Sequence, residues 1–370
     1  MRKIYSLFYR ILPVTKVEVD DRLYLLNEQE SAAIRWRERL AITLSAIIGA
    51  IGVLLLYIPY YTRPQWFPVT NMTFFGNQFV LPLVFFAYSA ILVWIEIILL
   101  TLLNIWCAHE IAVATGFLNY ENKSQEKRHN LLLDIGLEKK NKHVLTYGID
   151  PLQGLNKEAL MAWNLLFILK ATLTNLFFKF LVQRVLGRYA LKAVKDFAGV
   201  PIFAFWNAWG TYIILREARV IIMGQNLIEE VIRRLERRAP PDQQGKDLIA
   251  DTLQYVAVSK RDFHQNHYLL TENIFASYGI PHREKTWQER TYRSRLKQAP
   301  DDVRAVCTLL IVLGLLLDGN ISIRERLKIK LLREEGSIPY TEADIIGFKD
   351  DFLNGRGVEK LITDQLSVGI

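Results

Sequence analysis

The chain has 370 residues, of which 51% are hydrophobic and 23% charged, and a net charge of +8. That mixture fits a protein that lies partly in a bilayer and partly in water better than one that is membrane throughout. Two cysteines, Cys107 and Cys307, exclude a disulfide framework, and the basic excess makes anionic lipid the first partner to consider, ahead of nucleic acid.

Residues 1–38 read as a cytoplasmic N-terminal region. Arg2 and Lys3 are followed by a run broken by Arg10 and Lys16 with no small-residue cleavage site, so no signal peptide is expected. The stretch LNEQESAAIRWRERLAI predicts a helix already under way before it enters lipid.

Residues 39–107 read as a transmembrane helical hairpin. Ala41–Thr62 carries no charge, and Val80–Trp106 carries only Glu96. About 20 apolar residues suffice to cross a bilayer. The residues between, Arg63 to Gln78, are expected to form a short exposed loop. Arg35, Arg37 and Arg39 precede the first arm, and Lys123, Lys127, Arg128, Lys139, Lys140 and Lys142 follow the second, whereas the loop holds only Arg63. Basic residues stay in the cytoplasm, so both ends of the hairpin are placed there. Tyr57, Tyr60, Tyr61 and Trp66 would mark the far interface, and Trp36 and Trp106 the near one. Glu96 is the one ionisable group at membrane depth in the hairpin, a position that often carries function.

Residues 108–158 read as a cytoplasmic connector, polar from Tyr120 to Lys157. Residues 159–238 read as a second apolar helical pair, either interfacial or spanning. In the first half, Ala159–Leu186, Lys170 and Lys179 are costly at membrane depth. Spanning would also place Arg184, Arg188, Lys192 and Lys195 outside, so a hairpin lying in the cytoplasmic leaflet is favoured. Those four residues, with Arg216 and Arg219, are the expected contacts to lipid headgroups. The second half starts at Gly199-Val200-Pro201, and its helix is expected to continue through LIEEVIRRLERR. Arg216, Arg219, Asn226, Glu230, Arg233 and Arg237 then fall on one charged face, read as solvated. The run RYALKAVKDFAGVPIFAFWNAWGTYIILREA resembles the core of EcsC-family membrane-associated proteins at Gly199, Pro201 and Asn207. The resemblance implies shallow membrane association in bacteria.

Ala239-Pro240-Pro241-Asp242 is a linker, and residues 245–366 read as an all-helical cytoplasmic domain. Val303–Leu317 is too short to span and reads as a core helix. Asp318-Gly319-Asn320 turns the chain, Ser322 and Glu325 form a capping box, and Gly336 ends the next helix. This pattern resembles the TerB-like (tellurite-resistance) helical domain. The resemblance implies metal-ion binding and a stress role, with Asp318 and Asn320 as the positions carried over. Arg324, Arg326, Lys328 and Lys330 depart from the family pattern. The stretch from Thr252 parallels that from Thr308, which suggests two stacked helical hairpins, each with a Ser-capped second helix and an Ile-Pro ending.

No other chemistry rises from the residues. Position 12 of a calcium loop counted from Asp318 is Ile329, which cannot close it. His264, His267 and His282 lack an evident fourth zinc ligand. Phosphate-binding, nucleophile and redox motifs are missing. The sequence therefore predicts an all-α integral membrane protein of the bacterial inner membrane, multi-pass, with both termini cytoplasmic. It would be non-enzymatic and need no cofactor beyond a divalent cation at Asp318 and Asn320. It would act as a scaffold or envelope-stress factor, through lipid and a protein partner or a second copy of itself, with nucleic acid not expected. The alternative is an oligomeric channel with Glu96 in the conduit.

Overall fold

A computed structural model describes residues 25–74, 77–117, 143–151, 153, 197, 199–262, 264–281 and 287–366. The regular elements among these residues are helices, apart from one two-stranded ribbon.

Helix α1 runs from Glu28 to Thr62, with Asn27 and Glu30 closing a capping box at its start. As the residues before Ala41 suggest, it is a single long helix, only the second part of which is apolar. The expected loop is more ordered than the sequence reading had it. Strands β1 (Thr70–Phe74) and β2 (Asn77–Leu81) pair antiparallel, with Thr70 opposite Leu81 and Phe74 opposite Asn77. Their Thr, Phe and Val content suits a strand. Helix α2 follows, Leu83–Ala114, with Pro82 at its N-cap.

Helix α3, Gly199–Glu236, is continuous from the apolar run into the charged one. Seven shorter helices follow: α4 (Gln243–Lys260), α5 (Gln265–Tyr278), α6 (Glu289–Gln298), α7 (Asp301–Leu316), α8 (Ile323–Glu334), α9 (Glu342–Leu353) and α10 (Glu359–Leu366).

Two cores result. The larger joins α4–α10 to the C-terminal half of α3, through Val220, Met223, Leu227, Val231 and Leu235. The C-terminal body thus begins on α3, ahead of the Pro-Pro linker. The smaller core joins the start of α1 (Ile34, Ala41), the end of α2 (Ile105–Val113) and the middle of α3 (Leu215, Ala218, Ile222). Leu26, just before α1, donates its N–H to Gly355 O at 2.7 Å, which fixes that end of α1 on the body.

The paired hairpins are present as α4–α5 and α7–α8. Each ends on a left-handed glycine, Gly279 (φ 59°) or Gly336 (φ 73°), and then Ile-Pro. The caps differ from expectation: Ser322 caps α8, but His264 caps α5, its Nδ1 accepting from Asn266 N–H. Ser259 instead donates to Tyr255 O within α4.

Candidate functional site: an apolar belt and the polar joint beneath it

Three helices carry a continuous apolar surface. Ala41–Thr62 of α1 and Gly199–Leu215 of α3 hold no charge, and Leu83–Cys107 of α2 holds only Glu96. Ile47, Ile51, Leu55 and Ile58 on α1, Ile91, Val93, Trp94 and Ile97 on α2, and Phe203, Phe205, Trp209 and Ile213 on α3 are all exposed. α1 and α2 are long and apolar enough to cross a membrane. Their apolar windows are 22% and 0% buried, so neither is a core helix of the body.

Small residues let the helices close. The buried positions of α1 within the belt are Ala41, Ser45, Gly49 and Val53, one per turn on one face. A Cβ added at Gly49 would lie 2.7 Å from Phe203 O and 2.7 Å from Asn207 Nδ2, so α3 lies directly on this stripe. Across the same level, Asn207 Nδ2 donates to Glu96 Oε1 at 2.5 Å. The other Glu96 oxygen would be 3.2 Å from a Cβ at Gly52. Among the described residues, the one ionic group of the belt thus points between the helices of its own chain, where a carboxylate meets an amide donor. Tyr88 adds a bond to Leu55 O at 2.9 Å.

α3 follows α1 for its whole apolar length. At the far end Phe197 packs on Tyr57 and Tyr61, with ring centroids 6.1 and 6.0 Å away, beside Tyr60, Phe67 and Phe85. At the near end Arg219 meets Glu38 at 3.4 Å. Glu38 to Tyr61 rises about 35 Å at 1.5 Å per residue, against a hydrocarbon core of about 30 Å. Ala159–Leu186 and the residues Arg184, Arg188, Lys192 and Lys195 lie outside the described residues.

The near end is collared by charge. Arg37 pairs with Glu110 at 3.1 Å and stacks over Trp106. Arg216 and Arg219, read from the sequence as headgroup contacts, both have protein partners. Arg219 holds Glu38, and Arg216 donates to Gly319 O (3.1 Å) and Asn320 Oδ1 (2.9 Å). The rest of that α3 face is also only partly solvated: Asn226 is buried, and Glu230 holds Arg233 and Arg234.

Arg216 leads into a buried polar joint. Lys260, at the end of α4, has a side chain only 2% exposed. Its Nζ lies 2.7 Å from Asp318 and 2.6 Å from Glu325, and donates to Leu315 O and Asn320 O. Gly319 takes φ 69°, which the turn requires. Asn266 bridges the joint to α3, donating to Val220 O and Leu317 O, and a Cβ at Gly224 would collide with it at 2.0 Å. His264 Nε2 lies 2.9 Å from Glu217, and His267 Nε2 lies 2.7 Å from Gly314 O. Burial pushes the His267 pKa down to about 4.

The cation that Asp318 meets is therefore an ammonium group of the chain itself, and Asn320 is spent on Arg216. Among the described residues no group of three His, Cys, Asp or Glu is placed to hold a metal ion. A groove of about 670 Å³ between the end of α3, the start of α7 and α10 is lined by Arg234, Arg237, Arg238 and Tyr278. Arg234 is already bound there by Glu230 and Glu359. Sequence reasoning found Glu96, Asn207 and Asp318 separately, and missed Lys260 altogether.

Comparison of the chain with protein-family models, with curated proteins and with solved structures finds no match.

Proposed function

We propose that this chain is a multi-pass protein of a bacterial inner membrane, in which α1, α2 and α3 cross the bilayer as one bundle. The body α4–α10 would stand at the cytoplasmic face as a TerB-like module and act through protein and lipid contacts rather than by catalysis. The observation that supports this most is the apolar belt: its three helices turn aliphatic and aromatic side chains outward and keep their one carboxylate inside, against Asn207.

Four crossings follow on this reading. Gln153 is held on the body by Gln254 and Arg261, while Phe197 lies at the far end of α1. The chain between them, which includes Ala159–Leu186, lies outside the described residues and has to pass from one end to the other. The near side remains richer, with Arg35, Arg37, Arg39 and the six basic residues of 123–142, so the body keeps its cytoplasmic placement. The EcsC-like run supplies Gly199, Pro201 and Asn207 to α3. The conduit reading of Glu96 has less support, because its carboxylate faces α3 of its own chain.

The test is extraction of membranes at alkaline carbonate pH. The chain should stay in the pellet; recovery in the supernatant would contradict the reading.

A further inference from the structure

Among the described residues of α4–α10, two large apolar side chains are left in the open: Ile323 is 78% exposed and Leu327 is 64% exposed. Both are on α8, one turn apart and on one face. Arg324, Arg326 and Lys330 are exposed around them, with Glu342 3.2 Å from Arg326 and Glu334, on the same face, 3.9 Å from Lys330. The opposite face is packed away: Glu325 meets Lys260, Lys328 reaches Glu289 and lies 4.6 Å from the Tyr255 ring centroid, and Ile329 and Leu332 are buried. α8 is thus apolar on two faces, with only one of them used by the fold, and around the unused one the basic side chains Arg324, Arg326 and Lys330 outnumber the carboxylates Glu334 and Glu342.

Its position says what covers it. α8 leaves directly from the turn Asp318-Gly319-Asn320, and that turn is bound by Arg216. Arg216 immediately follows the uncharged run of α3, one turn beyond the exposed Tyr212 and Ile213. The start of α8 therefore lies near the edge of the apolar belt, at the end where Glu38 meets Arg219. Aliphatic side chains within a basic surround suit the boundary of an anionic bilayer.

We propose that the Ile323–Leu327 face of α8 docks on the anionic-lipid surface of the same membrane that α1–α3 cross. The proposal rests on the membrane reading above, and it gives the body a fixed attitude against the bilayer. Arg324 and Lys330 draw the face to acidic headgroups, and Ile323 and Leu327 enter the outer acyl region.

The full chain is reconstituted in vesicles containing phosphatidylglycerol, with a fluorophore on a cysteine at one of three sites. Cys107 and Cys307 are buried, and labelling of the unsubstituted chain gives the background. The sites are Leu327→Cys, Ile51→Cys in the belt and Gln244→Cys at the start of α4. Brominated acyl chains should quench the probes at 51 and 327 and leave that at 244 bright. R324E/K330E, or phosphatidylcholine in place of phosphatidylglycerol, should abolish quenching at 327 alone. Quenching at 51 without quenching at 327 overturns the docking and leaves the face to a protein partner, while the membrane reading stands. Loss of quenching at 51 overturns the membrane reading itself. Quenching at 327 that survives both R324E/K330E and neutral lipid overturns the anionic surface as the occupant.

Discussion

Asn207 of α3 and Glu96 of α2 are joined by a 2.5 Å hydrogen bond beside Gly49 of α1, so one polar contact ties all three belt helices at one level. In lipid, helices gain little from hydrophobicity against each other and associate through close packing and such bonds. The contact therefore reads as the fastener of the bundle.

Gly49 is the tightest point. Gly49→Val would drive its side chain into the Phe203 carbonyl and the Asn207 amide, and is expected to destabilise the bundle by about 1–3 kcal/mol. Gly52→Ala meets only the movable Glu96 carboxylate at 3.2 Å and should cost less. Unfolding in mixed detergent micelles measures both, and equal costs would place α3 elsewhere.

Glu96→Gln keeps an acceptor for Asn207, so its stability should stay within about 0.5 kcal/mol of the parent, whereas Glu96→Leu should lose about 0.6–1.7 kcal/mol. Ion flux through liposomes holding the Gln variant should match that of the parent. Altered flux would favour the conduit reading.

Lys260 is held by two carboxylates and two carbonyls with almost no exposure. Lys260→Met leaves Asp318 and Glu325 facing each other, and is expected to cost about 3–5 kcal/mol. Calcium or magnesium should leave the melting temperature of the parent unchanged, because the ammonium already holds the place of a cation. A rise on adding either ion would restore Asp318 as a metal ligand.

The body should weaken in acid through His267. Burial lowers its pKa from 6.5 to about 4, so the folded state favours the neutral ring. The stability this contributes is fully present above about pH 6.5 and is lost as pH falls toward 4, on the order of 3 kcal/mol in all. His267→Gln can still donate to Gly314 O and should flatten that slope. Parallel slopes in both chains would assign it to another group.

Much of this was legible in the residues. The two long arms followed from length and missing charge, and the Asp318-Gly319 turn, the Ser322 cap and the Gly336 stop from local chemistry that acts over a few residues. The paired strands at 70–81 escaped because they are short and flanked by stronger helical signals. Glu96 and Asn207 were each conspicuous, but their bond joins positions 111 residues apart and no pattern along the chain encodes it. Lys260 sits in the plain tripeptide Ser-Lys-Arg, and only the folding of α7 against α4 buries it. The partners of Arg216 and Arg219, Asn320 and Glu38, lie far away along the chain and left no local signal.

The depth of α3 carries the account, and its orientation is open to one experiment. Cysteines at Trp66, at Arg188 shortly before α3, and at Glu334 on α8 are exposed to a membrane-impermeant thiol reagent in intact cells. If α3 crosses with α1 and α2, the cysteines at 66 and 188 react from outside and that at 334 reacts only after permeabilisation. Reaction at 188 only after permeabilisation, together with 334, would mean that α3 never reaches the far side.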